Sequence, residues 1–351
     1  MKPLFVAPYG PNGASSRARV YDWVNRLGLD AEIHDYLGTR RLGTDILLRN
    51  ASKLVMLEIR LRQLARTTRP HLFLHREASP FGRGHVEQAI LQSAGVAVYD
   101  FDDALMWEPP GGVARKLVMS RARKCRVAVE HADVVIAGND VLADWASNYA
   151  RDVRVIPTCI EPAEYPVKAD YAISDPPRIG WLGSPSTEMY LREVTEPLLE
   201  FNRRTGARLL VISGGNSDLG ALRSIVDRVE WSLTSYASFL ATADVAIAPL
   251  TDTPYAQGKC AYKMLQYAAI GLPIVASPVG ANAVAGDRLG ARLVSGSGEW
   301  LDGLAEIVGC ATGDRGQNGK LARRAVSVHY SYQAWQAEWL LAQGIQDGRY
   351  A

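Results

Sequence analysis

Three carboxylates stand within four residues in the first half of the chain. Asp100, Asp102 and Asp103 follow an apolar run that predicts a strand, and an earlier predicted strand ends at His75. Packed like charges raise one another's pKa, so such a cluster is unfavourable unless a ligand, a metal or an arginine compensates it. An acidic helix N-terminus stabilised by the helix dipole is the alternative. Because three acids exceed what a helix cap uses, the pattern favours a functional site.

Two lysines follow a glycine-containing loop in the second half. Lys259 and Lys263 are four residues apart, a spacing that places both on one face of the helix predicted there. Positive side chains are disfavoured in the first turns of a helix, because the dipole is already positive at that end. The pair therefore predicts an anionic ligand, with Gln266 close by on the same helix. Projection of both lysines into solvent is the alternative.

The loop after the first predicted strand, residues 8–19, also has the composition of a ligand-binding loop. Gly13 lets backbone N–H groups approach a ligand, and the helix that follows directs its positive end toward it. Arg17 and Arg19 offer fork-shaped donors to a phosphate or carboxylate. An ordinary strand-to-helix turn, with Ser15 or Ser16 as N-cap, is the alternative.

Two loops of the second half have similar small residues. One begins at Gly183-Ser184 and the other at Ser213, each directly after a predicted strand. Small residues allow the backbone to approach a phosphate closely, although either loop alone is a weak signal. None of these loops reads GxGxxG, so the dinucleotide fingerprint is absent.

The elements that position these residues alternate along the whole chain. Apolar or β-branched runs are separated by amphipathic stretches, which predicts βαβ units and parallel sheets. The predicted strands are residues 4–7, 31–36, 71–75, 96–101, 133–137, 153–157, 178–182, 207–212, 229–233, 245–250, 273–277 and 291–294. The predicted fold class is α/β, with two Rossmann-like doubly wound domains facing a central cleft. In such sheets ligands bind beyond the carboxyl ends of the strands.

A proline-rich stretch without periodicity divides the two series of strands. We predict an N-terminal domain over 1–160, a linker over 161–177 and a C-terminal domain over 178–330. The Trp-containing stretch 331–351 predicts a final helix that packs back towards the N-terminal domain. The length of 351 residues fits two domains.

Composition excludes several classes of protein. Lys plus Arg is 39 and Asp plus Glu is 37, so the formal net charge of +2 argues against a nucleic-acid partner. The four cysteines form no CxxC pair, which favours reduced thiols over a zinc or redox site. The chain shows neither a signal peptide nor an apolar run of membrane-spanning length, which predicts a cytoplasmic protein.

Two basic stretches fall in the first half. The first extends from Arg40 to Arg69, and the second contains Arg115, Lys116, Arg121, Arg123, Lys124 and Arg126. A basic amphipathic helix can rest on anionic lipid, so peripheral contact with the inner face of the membrane is one interpretation. A solvated helix face is the favoured one.

The stretch 258–280 resembles the donor-binding region of glycosyltransferase family 4. In that family a helix reading roughly E-x7-E, followed by A-x-G-x-P-V-V-A, holds a nucleotide sugar. Residues 266–277, QYAAIGLPIVAS, match the second part closely. Residues 15–21, 100–104 and 183–187 resemble a subgroup of these enzymes, so the similarity extends over almost the whole chain.

The resemblance implies the GT-B fold and a retaining, metal-independent transfer of a sugar from a nucleotide-diphosphate sugar, without a cofactor. The acceptor would be a hydroxyl of a small molecule, a glycan or a lipid-linked molecule. Asp103 or Asp102 would orient or deprotonate that hydroxyl, and His75 is the third candidate catalytic residue. The candidate donor-binding residues are Gly13, Ser15, Arg19, Gly183, Ser184, Ser213, Gln257, Gly258, Lys259, Cys260, Lys263 and Gln266.

Several positions depart from the family pattern. Gly258 and Gln266 stand where the family has its two glutamates, and Ser184 and Pro185 replace an arginine and a lysine. Asp102 and Asp103 replace the histidine usual after the fourth strand. Two alternatives stay open. One is a nucleotide-sugar epimerase, which uses the same fold without an acceptor, and the other is a non-catalytic sugar-nucleotide-binding partner subunit, which the absence of both family glutamates keeps open.

Overall fold

Two six-stranded parallel sheets form the framework of the chain. The computed structural model describes residues 2–107, 119–346 and 349–350, and the chain divides into two units. The first unit contains residues up to Cys159, the short segment Gly258–Cys260 and the C-terminal segment from Trp335. The second contains Ile160–Gln257 and Ala261–Ala334. The predicted fold class of two doubly wound α/β sheets is confirmed.

The sheet of the first unit has the strand order β2-β1-β3-β4-β5-β6. Its strands are β1 (Leu4–Ala7), β2 (Glu32–Asp35), β3 (Arg69–His75), β4 (Ala94–Phe101), β5 (Val134–Ala137) and β6 (Val153–Val155). The central strands are buried along most of their length because helices cover both faces of a parallel sheet.

The helices of the first unit fall between these strands. The first helical segment consists of α1 (Ala14–Ser16), a π-helical turn (Arg17–Tyr21) and α2 (Asp22–Arg26). The others are α3 (Thr44–Arg49), α4 (Ala51–Ala65), α5 (His85–Leu91), α6 (Arg121–His131) and α7 (Asp140–Ala146). The Trp339 ring from the C-terminal segment stacks on Trp23, with centroids 4.9 Å apart, and closes the core over Phe5.

The sheet of the second unit has the strand order β12-β11-β10-β7-β8-β9. Its strands are β7 (Arg178–Gly183), β8 (Arg208–Ser213), β9 (Val226–Glu230), β10 (Val245–Ala248), β11 (Ile274–Ala276) and β12 (Arg292–Leu293). Every predicted strand is present, although β9 begins and ends three residues before the predicted 229–233.

The helical elements of the second unit include three 3-10 helices, Pro162–Glu164, Pro185–Val194 and Gly220–Ser224. The α-helices are α8 (Thr195–Thr205), α9 (Tyr236–Leu240), α10 (Pro254–Gln257), α11 (Tyr262–Ile270), α12 (Ala281–Leu289), α13 (Ser297–Gly309) and α14 (Thr312–His329). Helix α15 (Tyr332–Ala342) and a short antiparallel pair, Ile345–Gln346 with Arg349–Tyr350, end the chain.

The proline-rich stretch predicted as a linker is held by the second unit. Lys168 Nζ donates to the carbonyls of Ala241 and Ala243, the latter at 2.8 Å. Tyr171 Oη donates to the Gly271 carbonyl at 2.9 Å. The stretch lacks regular strands because proline removes backbone donors, yet its side chains anchor it. The predicted domain boundaries themselves stay a prediction.

A buried histidine on β3 predicts how stability depends on pH. His71 is 1% exposed, and burial lowers its pKa to about 4 while its partner Gln343 raises it slightly. In the unfolded chain the pKa returns to about 6.5. At a pH between these two pKa values, His71 is protonated in the unfolded chain and neutral in the folded chain. The free energy of unfolding should therefore fall by up to about 3 kcal/mol as pH drops from about 6.5 to about 4.

Urea unfolding of wild type and His71→Gln across this pH range measures the contribution. The variant keeps a partner for Gln343 but cannot titrate, so its stability should depend less steeply on pH. The exposed His85→Gln is the control and should follow wild type. Identical slopes for wild type and His71→Gln would contradict the assignment.

Candidate functional site

The register of the first sheet brings the ends of β3 and β4 together. His75 pairs with Asp100, so the residues after each strand lie side by side. Strand β4 ends at Phe101, which releases Asp102 and Asp103 from the strict alternation of strand side chains. The acidic cluster predicted from sequence is therefore located at the carboxyl edge of this sheet.

A chain of hydrogen bonds joins four side chains of the cluster. His75 Nδ1 lies 2.6 Å from Asp100 Oδ2, and its Nε2 lies 2.7 Å from Ser15 Oγ. Ser15 Oγ is also 2.8 Å and 2.9 Å from the two carboxylate oxygens of Asp102. Because a hydroxyl has one proton, Ser15 can donate to His75 or to Asp102 but not to both. The arrangement can pass a proton between the histidine and the carboxylate.

His75 is buried completely, so it reaches a ligand only through Ser15. Sequence reasoning selected His75, Ser15 and Asp102 separately, as a catalytic candidate, a donor-binding residue and a base. The structure brings these three together in one network.

Arg19 has a different place from the one predicted. It lies in the π-helical turn, is 2% exposed and forms an ion pair with Asp100. Its Nη1 donates to the carbonyls of Ile156 and Pro157, each at 2.8 Å. The predicted donor-binding role is therefore corrected: burial and these partners make Arg19 the counter-ion of Asp100. Burial lowers the pKa of Arg19, but Asp100 outweighs this and raises it well above its usual range.

Arg76 places a positive charge beside the other two acids, Asp102 and Asp103. Its Nε donates to Asp102 Oδ1 at 2.5 Å, and its Nη2 lies 3.5 Å from Asp103 Oδ2. Burial raises the pKa of Asp102, but Arg76, His75 and Arg19 outweigh it and hold that pKa well below its usual range. Asp102 therefore stays ionised near neutral pH.

The short segment Gly258–Cys260 belongs to the same cluster. Lys259 Nζ lies 3.5 Å from Asp103 Oδ1, and Cys260 Sγ lies 3.2 Å from the Asp102 carbonyl oxygen. Asn139 Nδ2 donates to the Lys259 carbonyl at 3.0 Å. Burial, with Asp102 beside it, raises the pKa of the Cys260 thiol well above its usual range.

The prediction that Lys259 and Lys263 share one face of a helix is wrong. Helix α11 begins only at Tyr262, after Ala261 adopts a left-handed conformation with φ 52°. The break separates the lysines, so Lys259 contacts Asp103. Gly258 packs so closely that an added Cβ would lie 2.5 Å from Ala104 Cβ, which explains why no glutamate stands there.

The loop after β1 leaves no room for a side chain at Gly13. A Cβ at Gly13 would lie 2.6 Å from Tyr9 Cβ, and the Gly13 carbonyl accepts the Arg17 N–H at 2.8 Å. Gly13 is the N-cap of α1, so the expectation of a serine N-cap is wrong. The second serine, Ser16, instead accepts the Tyr9 N–H at 3.2 Å.

A second group of predicted residues meets at the end of β7. Lys263 is in the first turn of α11, where its Nζ lies 3.2 Å from Thr187 Oγ1 and 4.3 Å from the centroid of the Trp181 ring. The loop Gly183-Ser184 leads into the 3-10 helix that contains Thr187, and Ser184 N–H donates to Thr187 Oγ1. A Cβ at Gly183 would lie 2.3 Å from the Trp181 ring, so only glycine fits.

Glu188 and Ser213 accept hydrogen bonds that hold the neighbouring loop after β8. Ser213 is 3% exposed and its Oγ accepts the Gly215 N–H at 3.2 Å. Glu188 Oε2 accepts from Ser217 N–H and from Arg228 Nη2, each at 3.1 Å. The hydroxyl of Ser213 thus supports the loop backbone, and contact with a donor stays a prediction.

Gln266 and Gln257 have intramolecular partners. Gln266 is 5% exposed, and its Nε2 donates to Tyr236 Oη at 3.1 Å and to Tyr165 Oη at 3.3 Å. Gln257 Nε2 donates to Asp252 Oδ1 at 2.8 Å. The amide nitrogen of Gln266 is therefore taken up by two tyrosines, and its predicted contact with ribose would fall to the carbonyl oxygen.

Each of the two basic stretches contains a buried member. Arg69 is buried against Glu32, and Lys124 is buried and bonded to Glu77 and to the Ser79 carbonyl. These two residues are therefore not part of a basic surface. Arg115 and Lys116 lie outside the described residues.

The exposed basic residues of the first stretch accompany exposed apolar ones on α3 and α4. Leu48, Val55 and Met56 are each about two-thirds exposed or more. The exposed basic side chains on these helices are Arg49, Lys53, Arg60 and Arg62.

Three residues of the two sites escaped sequence reasoning in these roles. Arg76 completes the acidic cluster, and Trp181 and Thr187 surround Lys263. The signal for Arg76 was its position directly after β3, since parallel strands place it beside the acids that follow β4. Nothing in the sequence indicated that Trp181 faces Lys263.

Within the described ranges, no group of three or more metal-ligating side chains is arranged to hold an ion. In the same part of the chain, no helix is long and apolar enough to cross a membrane.

Residues 176–309 match the family model described as glycosyl transferases group 1. The match covers most of the second unit but less than half of the chain. No curated protein matches the sequence.

Solved structures with the same fold span nearly the whole chain. Anabaena Alr3699/HepE in complex with UDP is 14% identical with a TM-score of 0.63, over 97% of this chain and 100% of that one. WaaG, a glycosyltransferase involved in lipopolysaccharide biosynthesis, is 13% identical with a TM-score of 0.65, over 97% and 100%. The α,α-trehalose-phosphate synthase (UDP-forming) of Burkholderia vietnamiensis is 13% identical with a TM-score of 0.58, over 93% and 83%. The fold is thus that of GT-B glycosyltransferases.

Proposed function

We propose that this protein is a glycosyltransferase that moves a sugar from a nucleotide-diphosphate sugar to an acceptor hydroxyl. The observation that carries the proposal is the position of Lys263 within the region that matches the glycosyl transferases group 1 model. Its ammonium lies in the first turn of α11, 3.2 Å from Thr187 Oγ1, where the N–H groups and the dipole of the helix favour an anion. Anabaena HepE, a structural neighbour, was solved with UDP and with UDP-glucose, so uridine nucleotides are the first donors to test.

The donor diphosphate would bind at the end of β7. Lys263 and the backbone of the Gly183-Ser184 loop would neutralise the charge that develops on the leaving diphosphate. Because these groups supply positive charge, the proposed reaction uses no metal ion. Retention of the anomeric configuration is part of the proposal and follows from the family resemblance of 258–280.

The acceptor hydroxyl would meet the acidic cluster of the first unit. Asp102 is engaged by Arg76 and Ser15, and Asp103 lies 3.5 Å from Arg76 Nη2 and from Lys259 Nζ. These two ion pairs are longer than the 2.5 Å contact between Arg76 and Asp102, which suits Asp103 better to exchange a partner for the acceptor. As a carboxylate it can orient the hydroxyl and accept its proton.

We further propose that the acceptor or its carrier lies at an anionic membrane surface, which α3 and α4 contact peripherally. Exposed apolar side chains can insert among the lipid chains, and the arginines and lysines beside them can contact anionic headgroups. The finding that supports this proposal is the exposure of Leu48, Val55 and Met56 on helices that carry four exposed basic residues.

Lys263→Ala should weaken binding of a nucleoside diphosphate by about 1 kcal/mol or more, the scale of a charge-assisted hydrogen bond. Isothermal titration with UDP, GDP and dTDP measures the change, at about fivefold or more in Kd. Lys320→Ala removes an exposed lysine of the same unit and is the control. Unchanged affinity in the Lys263 variant would remove the diphosphate from this position.

Asp103→Asn keeps the shape of the side chain and removes its charge. Turnover should fall by about 100-fold or more, the contribution usual for a group that accepts a proton, while donor affinity stays nearly unchanged. The assay contains excess EDTA, since the proposed reaction needs no metal. Wild-type turnover in the variant would refute the role of Asp103, and activity that appears only with Mg²⁺ or Mn²⁺ would make these acids metal ligands.

Replacing Val55 and Met56 together by serine should reduce binding to phosphatidylglycerol vesicles and leave the absence of binding to phosphatidylcholine vesicles unchanged. Vesicle sedimentation at low and high salt measures the effect, because attraction to anionic lipid weakens with ionic strength. Leu321 and Val328, each 55% exposed on α14, give the matched serine control. Equal sedimentation of all three proteins would exclude α4 as the contact.

A further inference from the structure

Arg76 holds an unfavourable backbone conformation. Among the described residues, only Arg76 and Ala261 have a positive φ without being glycine, and the φ of Arg76 is 60°. Glycine adopts this region without steric cost, whereas a side chain makes it strained. Such strain persists where the surroundings impose it, and it is found most often at functional sites.

Hydrogen bonds on both sides fix this conformation. The Arg76 N–H donates to the Asp100 carbonyl at 2.8 Å, and its own carbonyl accepts from Tyr99 Oη at 2.9 Å. The next N–H, of Glu77, donates back to the His75 carbonyl at 2.8 Å. The tight turn directs the arginine side chain along the carboxyl edge of the sheet, toward the acids after β4.

The guanidinium reaches two consecutive carboxylates from this turn. Nε bonds to Asp102 at 2.5 Å and Nη2 lies 3.5 Å from Asp103, while the side chain itself is 14% exposed. Consecutive residues of a continuing strand would point to opposite faces. Because β4 has ended, one planar cation can bridge both acids.

We propose that Arg76 is the positioning residue of the acidic cluster, holding Asp102 in its bond with Ser15 and orienting Asp103 toward the acceptor hydroxyl. The proposal rests on the proposed function and adds a residue that acts through the two carboxylates. Two adjacent carboxylates repel each other, so without the guanidinium they would separate or share a proton.

Other groups also face these acids and contribute to their ionisation. They are Ser15, His75 and Arg19 from β3 and the helix after β1, and Lys259 and Cys260 from the short segment. With these groups unchanged, loss of Arg76 removes one neighbouring positive charge. The acidic limb of the pH–rate profile should then move to higher pH.

Arg76→Gly removes the guanidinium and relieves the backbone strain, so the fold should be retained. We expect kcat to fall by about 100-fold, with the donor KM changed by less than about threefold. The acidic limb should rise by about one pH unit. Guanidinium ion at about 0.05 M, far below denaturing concentrations, should restore part of kcat.

Arg76→Lys keeps the positive charge but offers an ammonium in place of a planar fork. Its acidic limb should stay near that of wild type, while kcat is partly lost. Arg121→Gln is the matched control, because Arg121 pairs with Glu77 at 3.2 Å rather than with the acids after β4. Should the glycine variant fail to fold, Arg76→Gln takes its place in the same comparison.

Two results would overturn the proposal. One is kcat within about threefold of wild type in folded Arg76→Gly. The other is a loss of kcat that neither guanidinium nor the lysine variant restores, with an unmoved acidic limb, since a purely structural arginine would behave in this way.

Carbon-13 NMR titration of the aspartate carboxyl groups separates this proposal from the proposed function. Raised carboxyl midpoints in Arg76→Gly support the positioning role even if wild type turns over no donor, a result that would refute the proposed function alone. Turnover by wild type with unmoved midpoints in the variant would refute the positioning role alone.

Discussion

Three carboxylates packed beside one another require compensating positive charge, and this constraint shapes the carboxyl edge of the first sheet. Asp100 pairs with buried Arg19, Asp102 with Arg76, and Asp103 lies between Arg76 and Lys259. The cations come from three separate parts of the chain. A π-helical turn, a residue of positive φ and a short segment from between α10 and α11 each deliver one of them.

The second unit places a cation at the end of β7. Lys263 lies over the face of Trp181 and beside the hydroxyl of Thr187. The carboxylates of the first unit can accept a proton from a reacting group. The lysine of the second unit can stabilise negative charge that develops on a leaving group. Sugar transfer from a nucleotide diphosphate has both of these needs.

The periodicity of the sequence predicted the strands well, because a strand buried on both faces is a nearly continuous apolar run. The acidic cluster was also recognisable, since three acids within four residues at the end of one strand have few structural explanations. Sequence alone could not assign partners: Arg19 and Arg17 look equivalent, yet only the three-dimensional path of the π-helical turn shows that Arg19 pairs with Asp100.

The lysine pair shows why spacing can mislead. Lys259 and Lys263 are four positions apart, which predicts one helix face. However, Ala261 takes a left-handed conformation, which an alanine rarely adopts, and the helix starts after it. Gly258 illustrates the reverse case, where a departure from a family pattern has a packing reason, the close approach of Ala104. Both depend on tertiary contacts that no local propensity encodes.

The most direct test of the central claim follows nucleoside diphosphate release and the anomeric carbon of the product by NMR. Wild type is incubated with UDP-, GDP- and dTDP-sugars, each with and without a panel of hydroxyl acceptors. The account predicts diphosphate release that depends on an acceptor, with the anomeric configuration of the donor retained in the product. Donor binding without release under any of these conditions would contradict it and favour a non-catalytic sugar-nucleotide binder.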